Sequence, residues 1–206
     1  MNNDNDIKLV EVLSRHYTET FDLLKQVVAR RDRLFVYILL VIFAVLLYMS
    51  SPTLLSDWVN SFFNKQVAGN TTTSIAPLID VSVIGVVLLL GLLALSHTYF
   101  QTVLHVERQY DYVYQLEHEL SKHFNDKAFI REGKHYRTYK RKFSMWTKVI
   151  FWYLFPILYL LFIAFWLRFL VITTQTPPGY KLVDAAITVS ILVSLALYLL
   201  AIIKHK

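Results

Sequence analysis

The chain has 206 residues, of which 55% are hydrophobic and 17% charged, and a formal net charge of +6. Long uncharged apolar runs in such a composition exclude an ordinary soluble globule and point to a membrane protein. There is no cysteine, which excludes a disulfide framework and a thiolate metal site.

Residues 1–33 are polar and charged, unlike a cleavable signal peptide, so the first apolar helix serves as its own membrane address. Within them Val10, Leu13, Tyr17, Phe21, Leu24 and Val28 recur at spacings of three and four, which predicts an amphipathic helix over 7–31. Its apolar stripe fits packing against other helices or lying on lipid headgroups. No Pro or Gly separates it from the first apolar run, at 34–51, so one helix from water into lipid is expected. Residues 52–75 form a loop in which Leu54, Leu55, Trp58 and Phe62 line one face of a short interfacial helix beginning at Pro52.

The second span is placed at 76–98, and its helix is expected to run on as a stalk, with Val106, Tyr110, Val113 and Leu120 on one face. Tyr99, Tyr110, Tyr112 and Tyr114 make the stalk tyrosine-rich, as core packing or as a partner surface. The segment 99–148 ends in six basic residues, Arg131, Lys134, Arg137, Lys140, Arg141 and Lys142, interleaved with aromatics. Such a juxtamembrane cluster suits anionic lipid, a cytoplasmic partner or, less readily, nucleic acid. The third span occupies 149–172 with Pro156 inside it, a turn covers 173–181, the fourth span occupies 182–203, and 204–206 form a short tail. The expected fold class is therefore an all-α integral membrane protein with four transmembrane helices and cytoplasmic helical extensions.

Orientation follows from the flanks. Six Lys and Arg precede the first span and ten lie between Arg108 and Lys148, while the two remaining loops hold one each, Lys65 and Lys181. The positive-inside rule then puts both termini and the segment between spans two and three in the cytoplasm.

Three charges fall inside the apolar runs: Asp80, Arg168 and Asp184. That topology brings all three into the outer leaflet, and an intramembrane Arg costs roughly 2.5–3.5 kcal/mol unless paired or snorkelling. A cluster of Arg168 with Asp184, Asp80 or both is one reading, with Asp184 favoured by the short turn between the last two spans. Snorkelling of Arg168 and interfacial aspartates is the other. Ala186, Ser190 and Ser194 repeat every four residues, a small-residue face for helix packing within or between chains, or for lining a pore.

Catalytic signatures are missing. "HELSKH" spaces its histidines five apart where a zinc pair needs four, and no phosphate-binding loop, dinucleotide fingerprint or nucleophile elbow occurs. No enzyme, metal or cofactor is expected. His97 and His105, two turns apart, suit interfacial hydrogen bonding or proton sensing.

The layout, with "VERQYDYVYQLEHEL" as a stalk and "REGKHYRTY" before a second hairpin of spans, resembles small multispan transmembrane effectors of bacterial antiphage defence systems, those paired with retrons among them. The resemblance implies a helical effector, held silent by a cytoplasmic partner, that permeabilises or depolarises the inner membrane on activation. It rests on architecture and carries over no functional residue. The alternative is a non-toxic anchor or sensor subunit that recruits a cytoplasmic partner. A homo-oligomer suits the effector reading.

Overall fold

The computed structural model describes residues 3–67, 81–123, 149–173 and 177–204, and among them there is no strand. Four helices are long and apolar enough to cross a membrane. Residues 68–75 of the predicted outer loop, Asp80 and the polybasic cluster at 131–142 lie outside the described residues.

Helix α1 (Asn3–Ser50) has 48 residues, roughly 72 Å of helix. The predicted amphipathic segment runs into the first apolar run without a break, because no Pro or Gly interrupts it. Pro52 ends it, since the residue before a proline is pushed out of the helical region. The Ser51 N–H still reaches the Leu47 carbonyl at 2.9 Å. Pro52 then opens α2 (Pro52–Val67), where a missing N–H costs nothing. Leu54, Trp58 and Phe62 stay more than half exposed on α2 and form the predicted outward apolar face.

Helix α3 (Val81–His123) has 43 residues and joins the second apolar run to the predicted stalk. The third apolar helix, α4 (Phe155–Ile172), is entered through a π-helical turn, Ile150–Leu154, closed by the Phe155 N–H on the Ile150 carbonyl. Pro156 supplies the cause. It has no N–H to return to the preceding turn, so the helix widens there. Helix α5 (Pro178–Lys204) completes the chain.

The principal packing is α1 on α3. His16 meets Tyr112, Tyr17 meets Glu117, Phe35 meets Tyr99 and Tyr48 lies at Gly85, so the two run antiparallel. On α3, Leu92, Tyr99, Val106, Val113 and Leu120 are each 2% exposed or less. Their spacing is seven throughout. On α1, Leu24, Ile38 and Val45 keep the same repeat, with Arg31 between them. A seven-residue repeat is the seam of a left-handed supercoil. Here it runs through apolar and polar stretches alike without a change of phase.

The turn before α5 makes α4 and α5 consecutive, yet α5 packs chiefly on α3 and only slightly on α4. Phe100 stacks on Tyr198 and His97 approaches Ser194, so α3 and α5 run parallel. The expectation that α4 and α5 are close neighbours gives way to this arrangement. The buried stripe of α5 (Ile187, Ile191, Leu195 and Tyr198) is what α3 holds.

Candidate functional site

The apolar helices are tied together at one level, where the run of Arg30, Arg31 and Arg33 gives way to Leu34. Arg31 occupies a seam position of α1. Its guanidinium donates from Nε and Nη2 to Asp32 Oδ1, at 2.9 and 2.8 Å. Its flat face lies over the Phe151 ring, 4.9 Å from the centroid. Arginine suits this place because it can form hydrogen bonds in its plane and stack above it.

Above Arg31 an aromatic collar forms. Phe35 of α1 meets Phe151 and Phe155 edge-on, with centroids 5.2 and 5.3 Å apart. Tyr99 of α3 meets Phe155 at 5.2 Å, and Phe100 meets Tyr159 at 6.2 Å. Phe100 also stacks on Tyr198 of α5 at 4.5 Å. Rings from α1, α3, α4 and α5 therefore interlock in one layer. Such pairs contribute roughly 0.5–1.5 kcal/mol each beyond area burial. Ring contacts thus link the α1–α3 seam at this level to α4 and α5. Tyr99 and Tyr198 bury their hydroxyls there without a hydrogen-bond partner among the described residues.

The predicted charge cluster looks different in the structure. Asp184 is 5% exposed, and its Oδ1 has no hydrogen-bond partner among the described residues. Arg168 is exposed, and no ion pair joins the two. The packing of α5 on α3 rather than α4 accounts for their separation. Asp80 lies outside the described residues. The small face divides as well. Ala186 and Ser190 are exposed, while Ser194 is half-buried and 3.4 Å from His97 Nδ1. Packing inside the chain thus leaves Ala186 and Ser190 uncovered.

Arg131, Lys134, Arg137, Lys140, Arg141 and Lys142 lie outside the described residues. His97 and His105 are both exposed on α3, and His97 Nε2 is 3.0 Å from Gln101 Nε2. Among the described residues no three His, Cys, Asp or Glu are grouped to hold a metal ion. Of the tyrosine-rich stalk, Tyr99 is buried, Tyr110 and Tyr114 are half-buried, and Tyr112 is exposed beside His16. Sequence reasoning missed the collar. Its signal was one or two aromatics at the same end of every span: Phe35, Tyr99 with Phe100, Phe151 with Phe155, and Tyr198.

Compared with protein families, curated proteins and solved structures, the chain matches none.

Proposed function

We propose that this chain is an inner-membrane effector of a bacterial antiphage defence system, whose polar stalk receives a signal and whose four spans disrupt membrane integrity or potential. The observation that carries the coupling is the α1–α3 seam, which keeps its seven-residue repeat from the polar stalk into the apolar helices and ends its polar part at the aromatic collar. In this reading both termini and the stalk are cytoplasmic, following the basic flanks. Resting silence follows from the collar, whose ring contacts hold the spans together at one level. Activity comes from assembly of several chains through the uncovered Ala186 and Ser190, where small residues permit close helix approach. The basic segment 131–142 holds the stalk near anionic lipid or a cytoplasmic partner.

The second reading is a non-toxic anchor or sensor subunit, favoured by the exposed His16–Tyr112 pair on the stalk, a ready contact for a soluble partner.

Membrane potential and dye entry, followed in a bacterium after induction of the chain, separate the two. The effector reading expects depolarisation by the wild type and its loss on Ser190→Leu, at equal membrane-inserted amounts. An unperturbed membrane, together with a soluble protein retained by the wild-type stalk and released by Tyr112→Ala, gives the anchor.

A further inference from the structure

A cleft of about 580 Å³ opens between α1 and α3 just beyond the collar, on the polar side. That volume falls in the range of small-molecule sites, roughly 300–1,000 Å³. Arg30 lines it from α1, and His105 and Arg108 from α3. Leu23, Val27 and Leu104 form its apolar wall. No carboxylate lines it.

Elsewhere on the two helices Arg31 is paired with Asp32, Lys25 with Asp22 and Lys122 with Glu119. Among the described residues Arg30 and Arg108 have no ion-pair partner. The hydroxyls of Thr98 and Thr102 in the same lining donate to the carbonyls of Ala94 and Thr98, at 2.8 and 2.7 Å. They are therefore spent as donors, which leaves the guanidiniums, the His105 imidazole and the Gln101 amide to face an incoming group. Two guanidiniums without an ion-pair partner among the described residues, beside an apolar wall, suit an anion with an organic part, and guanidinium forks match phosphate oxygens.

We propose that this cleft binds a phosphate-bearing anion at the membrane surface, with Arg30 and Arg108 holding the phosphate and the Leu23–Val27–Leu104 wall covering its organic part. The phosphate belongs to an anionic phospholipid headgroup or to a soluble phosphate ester. Arg30 lies one helical turn before Leu34, where the apolar run begins, so the cleft is within reach of both. The assignment rests on the cleft and does not require the chain to disrupt membranes.

The test uses the purified full chain in detergent. Native mass spectrometry reads retention of phosphatidylglycerol against phosphatidylcholine, and calorimetry reads binding of pyrophosphate and ATP. The double variant Arg30→Gln with Arg108→Gln is compared with Lys25→Gln plus Lys122→Gln, which removes the same charge from the paired lysines. The cleft pair is expected to weaken binding about 25-fold, roughly fivefold per arginine, and the lysine pair less than about twofold. Preference for phosphatidylglycerol without pyrophosphate or ATP binding identifies a lipid headgroup. Pyrophosphate or ATP binding identifies a soluble ester, and either supports the site. Equal losses in the two double variants, or no probe bound by the wild type, would overturn it. Should the cleft variant fail to fold, phenylglyoxal modification of wild-type Arg108 decides, because a bound probe must slow it and an unchanged rate refutes the site.

Discussion

Leu92 and Leu120 stand at the same position of the α3 repeat, four heptads apart, and both are fully buried. Leu92 lies in the apolar half of the α1–α3 hairpin and Leu120 in the polar half. The geometry is shared, but what drives it differs. In the stalk, burying Leu120 removes apolar surface from water. With the apolar half in lipid, whose tails are as apolar as leucine, Leu92 would contribute through close packing and shape. In the proposed membrane reading the hairpin uses one seam in two solvents, and each half can be tested with the same substitution.

The largest difference is expected from that matched pair. Leu120→Ala loses both transfer energy and packing, about 2–5 kcal/mol for a buried leucine in a water-facing core. Leu92→Ala loses the packing part and should cost clearly less. Amide hydrogen exchange in lipid nanodiscs reads both, at residues 113–123 and 85–99. Equal costs would mean that the two halves are held by the same force.

How much of this seam is legible in the sequence follows from the same contrast. In the stalk, Val10, Tyr17 and Leu24 stand out among charged neighbours, so the stripe was readable. In the span, fully buried Ile38 is followed by Leu39 and Leu40, which are 45% and 59% exposed. Chemically the three are nearly alike, and no polar contrast marks the face that packs. The number of apolar helices, the α1 and α3 extensions and the helix after Pro52 were thus accessible. The collar and the partner of α5 were not. The separation of Asp184 from Arg168 could not be read either, because it depends on α5 choosing α3.

A middle-sized effect tests shape inside the apolar half. A Cβ added at Gly85 would lie 3.0 Å from the Cζ and Oη of Tyr48. Tyr48 is itself 7% exposed and in ring contact with Trp166 and Phe169 of α4, so it has little room to yield. Gly85→Ala is expected to cost about 1–3 kcal/mol by overpacking, although alanine is the better helix former. The same change in a Tyr48→Leu background should cost much less, as read by resistance to unfolding in sodium dodecyl sulfate. Additive losses would place the effect elsewhere.

The smallest effects come from polar groups in the seam, and here too the halves differ. Ser96 and Glu117 share the other core position of the repeat, three heptads apart, and both are buried. Ser96 Oγ donates back to the Leu92 carbonyl at 2.6 Å, so its hydrogen bond stays within its own helix. Glu117 accepts across the seam from Tyr17 Oη at 3.2 Å. Tyr17→Phe keeps the ring stacked on Phe21 but removes that donor. A loss of about 1 kcal/mol is expected, since a buried acceptor loses one of its partners. Ser96→Ala removes a bond that holds nothing to α1, and should stay within about 0.5 kcal/mol of the wild type. Hydrogen exchange at 113–123 and at 92–100 measures each change. A large loss at Ser96 would show that the apolar half also depends on polar contacts between helices, and the two halves would then differ only in their solvent.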